Sequence, residues 1–333
     1  MSVAVEATEE AINFGPRRLG HVNLWVGDYK RNTKFYNEVL GFKLEATEPG
    51  ILGSFLGNGN THHDIGMVEI TTGEDRVGRD GQILIPKEIS NKIGLFHLGW
   101  EMENEAVLVE AIDRLKETDQ PIAFFADHQL SHSIYIPDPD GFLHEFYADE
   151  QSDWKKWFKG ELELITGVWN PGENEPHREV RYDPNPELYG VDSAPLHPRY
   201  ITHSTMIVSD FARALHFYEE VAGLKPISVM EGSHACFEGG VGRYVFSFFV
   251  AQDDDEVGMH HCSFELESEE ALERSLSVLK EQGVAIEKEV DNESKRSLFV
   301  LDDDKIRWEF FVERERNFAT IAAADPAERP YLS

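Results

Sequence analysis

Apolar and polar residues alternate through His21–Val26, which predicts a strand with His21, Asn23 and Trp25 on one face and Val22, Leu24 and Val26 on the other. Asp28 follows at an N-cap position, and Phe35, Val39 and Leu40 recur behind it at helical spacing. Gly41 stands where a C-cap glycine would end that helix. A second strand and helix are predicted from FHLGWEM and AVLVEAIDRLKE, and a final strand carries Glu145.

The pattern occurs twice. His21–Lys43 matches His203–Lys225 at an offset of 182 residues, including His21/His203, Asp28/Asp210, Tyr36/Tyr218 and Gly41/Gly223. Phe55/Phe237 and Gly57/Gly239 keep that offset, which sets Val245 opposite His63. The later parts match at an offset of 164, pairing His97 with His261 and Glu145 with Glu309. The first copy therefore holds 18 extra residues (182 − 164), placed in the run TTGEDRVGRDGQ, which reads as a loop. Each copy reads as two βαβββ halves. The expected organisation is α+β: a tail at 1–15, a domain at 16–150, a linker at 151–198, a second domain at 199–314 and a tail at 315–333. The linker holds 6 of the 15 prolines, yet Trp154, Trp157, Phe158 and Trp169 predict that it packs on a domain.

Charge narrows the partners. The 333 residues include 62 Asp+Glu against 31 Lys+Arg, a net charge of −31. Phosphate backbones and anionic membranes are met by Lys and Arg, so neither is an expected partner. The acidity fits a salt-rich cytoplasm or an ordinary acidic protein, and both readings stay open. No apolar run reaches the length of a membrane helix, and the acidic N-terminal stretch does not read as a signal peptide. Cys236 and Cys262 form no CxxC pair, which excludes a disulfide scaffold and points to the cytoplasm.

In each copy two histidines and a glutamate recur in register: His21, His97 and Glu145, then His203, His261 and Glu309. Two imidazoles and one carboxylate with open positions form the facial triad typical of non-haem Fe(II). A lone strand His is usually structural, and duplication alone can repeat it. The copies differ, however. Only the first has His63, His128, His132 and Tyr135 near its triad; Asn292, Arg296 and Phe299 replace the last three in the second. Neutral imidazoles and a phenol suit proton transfer at a metal-bound oxygen. Strand alternation sets His62 opposite His63, as a structural or rim residue, and sets His144 off the site face; His261 rather than His260 is the face residue.

The run His128-x₃-His132-x₂-Tyr135-x₂-Asp138-Pro139-x-Gly141-x₃-Glu145 resembles the signature of type I extradiol, catechol-cleaving ring dioxygenases. These belong to the vicinal-oxygen-chelate, or glyoxalase–bleomycin resistance, superfamily. Ala126 departs from the usual signature residue. The resemblance implies two tandem vicinal-oxygen-chelate domains, each with paired βαβββ modules forming a cupped barrel around a metal. It implies Fe(II), or less often Mn(II), held by His21, His97 and Glu145. It implies that His63 lies near O₂, that His128 serves acid–base chemistry, and that Tyr135 hydrogen-bonds a catecholate. The expected partners are a small aromatic diol, O₂ and further copies of the chain. His203, His261 and Glu309 are expected to be a relic, with metal binding the lesser alternative. The competing readings are a hydroxyphenylpyruvate-dioxygenase-like or glyoxalase-like enzyme, and a non-catalytic aromatic-binding protein.

Overall fold

A computed structural model describes residues 12–78, 81, 83–163, 166–253 and 255–333. The expectations for residues 1–11 lie outside the described residues. Two large sheets carry the duplicated pattern. In the first, the order is Lys43–Glu48, Gly53–Gly57, Ile65–Glu69, Arg18–Val26, Gly94–Glu101, Leu143–Asp149, Ser131–Pro137 and Phe124–Asp127, with the two-residue strand Gly160–Glu161 added at the edge beside Lys43–Glu48. The second repeats it as Lys225–Met230, His234–Glu238, Tyr244–Val250, Ile201–Val208, Gly258–Glu265, Arg307–Glu313, Lys295–Leu301 and Ile286–Asp291. Within each sheet, two parallel pairs meet at a central antiparallel pair, so each copy is two βαβββ modules back to back.

Local chemistry starts the helices as read. Asp28 accepts from the backbone N–H groups of Lys30 and Arg31 and caps Tyr29–Glu38. Asn104 and Ser268 cap Glu105–Leu115 and Glu269–Glu281 in the same way. The first helix buries Tyr29, Asn32 and Tyr36 rather than only the apolar Phe35 face. That choice serves the junction between copies. Tyr36 donates to Asp302 at 2.6 Å, and Tyr218 donates to Asp138 at 3.0 Å, so each opening helix grips the other copy's last hairpin. Gly41, at φ 83, has no room for a Cβ because Leu196 packs its carbonyl there.

Several expectations are corrected. The insertion is not only loop: Arg76–Val77 pairs with Ile83–Ile85, and Ile85 joins Trp25 and Val68 in a small apolar cluster. Phe55 and Phe237 are not equivalent. Leu56 pairs with Ile65 as Phe237 pairs with Phe246, so the true offset here is 181. One residue is gained between Lys43 and Gly57, and it moves Phe55 to the opposite face. Ile12–Gly15, the described part of the expected N-terminal tail, lies against the second copy: Asn13, Phe14 and Gly15 donate backbone bonds to Glu220, Val221 and Ala222. In the segment between copies, Trp154, Phe158 and Trp169 are buried while Trp157 is exposed. Residues 318–332 form two short helices over the second sheet, with Ile321 packed against Ile207, Cys236 and Tyr244. No helix among the described residues is long and apolar enough to cross a membrane.

Candidate active site

The centre of the first sheet is a row of paired residues. His21 lies opposite Gly99, Gly99 lies opposite Glu145, and Glu145 lies opposite Tyr135. One step along, Asn23 lies opposite His97. His21 and Glu145 reach each other across Gly99, at 2.8 Å between Nε2 and Oε2. This needs glycine, since a Cβ at Gly99 would stand 2.2 Å from the His21 ring. His97 Nε2 reaches the same carboxylate oxygen at 3.0 Å.

These atoms fit a bound cation. His97 Nε2 is buried and close to the carboxylate, yet it is misaligned for a hydrogen bond and has no partner. Two nitrogens and an oxygen instead converge on one point, with all three ligand atoms within 4.8 Å of one another. Burial pushes the His97 imidazole down to about 4, leaving its lone pair free. Burial alone would raise Glu145, but His21 and His97 beside it hold the carboxyl well below the usual range. Ser133 donates to Glu145 Oε1 at 2.6 Å and fixes the carboxylate.

The other expected residues surround this point. The His63 ring lies 4.4 Å from that of His21, and its Nε2 is 3.1 Å from Asn23 Oδ1. His128 Nε2 is 2.9 Å from the Tyr135 hydroxyl and 3.8 Å from Glu145 Oε1. Burial, with Glu145 nearby, raises the Tyr135 phenol well above its ordinary value, so it stays neutral. Phe55 and Phe158 wall the His63 side.

Two orientations differ from the simple strand reading. His63 does not share a face with Ile65 and Met67: the strand begins only at Ile65, those two residues enter the core, and the bend before them turns His63 inward. His62 does not point away. Its ring lies 4.6 Å from His63 and 5.9 Å from His21, and burial lowers it to about 3. His144 lies elsewhere, accepting from Trp100 at 3.0 Å near Tyr218. His132 is also outside the group and pairs with Glu105 at 2.7 Å. Sequence reading missed Asn23, Gly66, Gly99 and Ser133. Gly66 matters because a Cβ there would meet Asn23 Oδ1 at 1.9 Å.

The second copy brings His203, His261 and Glu309 together more loosely. Both Nε2 atoms are 3.6 Å from Glu309 Oε2. Ser263 replaces Gly99 in the paired row and donates to Glu309 at 2.6 Å. The buried Lys295 ammonium sits 2.6 Å from the other carboxylate oxygen and also bonds the Ser333 carbonyl. Corrected register sets Tyr244, not Val245, in the place of His63; its ring lies 4.5 Å from His203.

Comparison with known proteins gives a consistent picture. The Glyoxalase/Bleomycin resistance protein/Dioxygenase superfamily matches residues 18–146 and 200–310. A catechol-2,3-dioxygenase of Bacillus subtilis (strain 168) is 24% identical over 239 residues, covering 68% of this chain and 72% of that protein. The 2,3-dioxygenase LapB from Pseudomonas sp. KL28 superposes with a TM-score of 0.64 at 16% identity, covering 91% of this chain and 94% of that one. An Mn(II)-bound glyoxalase from Novosphingobium aromaticivorans gives 0.62 at 12% identity, covering 90% and 82%. At these identities the structural likeness speaks for the fold.

Proposed function

The chain belongs to the Glyoxalase/Bleomycin resistance protein/Dioxygenase superfamily, and from that premise we propose that it is an Fe(II)-dependent extradiol dioxygenase. Its substrate is a catechol-type aromatic diol, and its site is the first copy. One observation carries this reading: His63, His128 and Tyr135 gather around His21, His97 and Glu145, whereas Tyr244, Asn292 and Phe299 stand at those places in the second copy. The similarity to the Bacillus subtilis catechol-2,3-dioxygenase supports it. Simple metal-assisted isomerisation has no need of all three groups.

His21, His97 and Glu145 would hold the ion, with Mn(II) as the second choice for the same donors. An Fe(II) bound there would supply the charge that acidifies vicinal hydroxyls and an electron path between diol and O₂. His128 serves as the general base for a substrate hydroxyl and later returns the proton, with Tyr135 at 2.9 Å orienting its Nε2. Asn23 orients His63 at 3.1 Å toward the oxygen side. Burial keeps His63 well below its ordinary value, hence neutral and able to donate or accept. Phe55 and Phe158 shield this side from water. The net charge of −31 favours neutral or weakly acidic diols over anionic ones, a preference that salt would screen.

The test is anaerobic loading with Fe(II), then a catechol panel in air with an oxygen electrode and visible spectroscopy. Oxygen uptake with a coloured ring-opened product is expected. A folded, iron-loaded sample inert toward every vicinal diol would remove the proposal.

A further inference from the structure

A second group of metal-ligating side chains lies outside the site described above. It joins Glu105, at the start of its helix, Glu150, just past the last strand of the first sheet, and His177, in the segment between the copies. Their ligand atoms all lie within 4.8 Å of one another. His177 Nε2 is 2.7 Å from Glu150 Oε1 and 3.8 Å from Glu105 Oε2. His132 Nδ1 adds a fourth donor, 2.7 Å from Glu105 Oε1 and 3.5 Å from Glu150 Oε1.

The group carries the geometric mark of the first triad. The His177 side chain is only 8% exposed, and its Nε2 has no hydrogen-bond partner despite its closeness to Glu150. Glu150 Oε1 is likewise unpartnered. Arg181 occupies the other oxygen, Oε2, at 2.9 Å, which leaves Oε1 directed inward. A nitrogen and an oxygen this close and off line do not share a proton well. They can share a cation.

The second copy gives an independent argument from charge. At the offset of 164, Glu105, His132 and Glu150 become Glu269, Arg296 and Arg314. Arg314 holds Glu269 with two bonds of 2.7 and 2.9 Å. That guanidinium is replaced in the first copy by a second carboxylate. Two carboxylates thus meet two imidazoles where the duplicate has built-in positive charge.

We propose that Glu105, His132, Glu150 and His177 bind a divalent transition ion of the zinc class. Two imidazoles and two carboxylates suit a borderline cation in tetrahedral coordination. The ion's role is to staple the segment between copies onto the first sheet. Around it, Ala106 N–H donates to the His177 carbonyl at 3.1 Å, and Trp169 stacks on His132 at 4.8 Å. His132 shares its strand with Ser133 and Tyr135, so the staple also steadies the catalytic strand.

The test uses the full chain with Glu145→Gln, which disables the first triad. Zn²⁺ is titrated into the metal-free protein against a chromophoric chelator, with bound metal counted by elemental analysis. One tight equivalent is expected, falling at least tenfold in affinity when His177→Asn or Glu150→Gln is added. Co²⁺ in its place is expected to show the visible bands of a tetrahedral site, and Zn²⁺ to raise the melting temperature only while His177 is present. Folding of each variant is checked by circular dichroism. Folded Glu145→Gln protein that binds no Zn²⁺ overturns the proposal. So does a retained equivalent insensitive to His177→Asn and Glu150→Gln, or one lost with His203→Ala instead. If the wild type binds no more metal than Glu145→Gln, the first-triad reading fails, while the His177 arm still decides this one.

Discussion

Adding one methyl group at Gly99 is expected to disable the first site without unfolding the protein. In Gly99→Ala the new Cβ would stand 2.2 Å from Cε1 and Nε2 of His21. Carbon atoms in contact sit about 3.5–4 Å apart, so the ring must retreat by more than about 1 Å. Metal–ligand distances tolerate only about 0.2 Å. A misplacement of about 1 Å costs on the order of a hundredfold, or about 2.7 kcal/mol. The second copy already shows the looser arrangement: Ser263 occupies this place, and His203 stands 3.6 Å from Glu309 where His21 stands 2.8 Å from Glu145. The assay is Fe(II) affinity by chelator competition, followed by kcat/KM on the best diol. Circular dichroism and a melting curve establish that the fold persists. A folded Gly99→Ala protein that binds Fe(II) within about threefold of the wild type would refute the reasoning, because His21 would then not depend on the missing Cβ.

Three other outcomes follow from the same geometry. Gly66→Ala pushes on Asn23 rather than on a metal ligand, so Fe(II) affinity should hold while kcat falls about tenfold or more, as iron titration and steady-state kinetics would show. Glu145→Gln should abolish turnover and His203→Ala should leave most of it; the reverse in oxygen-electrode assays would place the chemistry in the second copy. Burial raises Asp302 from 3.8 to about 6, so its contribution to stability is present below about pH 4 and is lost as pH rises through 6. Asp302→Asn should therefore gain on the wild type between pH 4 and pH 7, by about 3 kcal/mol at most, in denaturant melts at each pH.

Much of the arrangement was legible because duplication printed it twice. The triads recur in register, and the run from His128 to Glu145 marks one copy as different. What stayed hidden has physical causes. Gly66 and Gly99 act through the absence of a side chain, and nothing in a linear pattern says which neighbour needs that space. His62 and His63 follow strand parity on paper, but pairing begins only at Ile65, so the bend aims both rings at His21. One added residue between Lys43 and Gly57 shifts the match and hides Tyr244 as the counterpart of His63. Lys295 lies at the place of Ser131, and nothing local in the sequence shows its ammonium reaching Glu309. The aromatics of the Pro-rich segment 151–198 predict that it packs on a domain, but not where: Phe158 walls the first site beside Phe55 and His63, and Trp169 stacks on His132.

The central claim, that the first copy opens an aromatic ring with O₂, is tested most directly by isotope labelling. Fe(II)-loaded protein is given ¹⁸O₂ and its best vicinal diol, and the ring-opened product is weighed by mass spectrometry beside a Glu145→Gln control. Both label atoms in the product of the wild type, and no product from the control, is the predicted result. A product carrying no ¹⁸O, or one formed equally by the control, would contradict it.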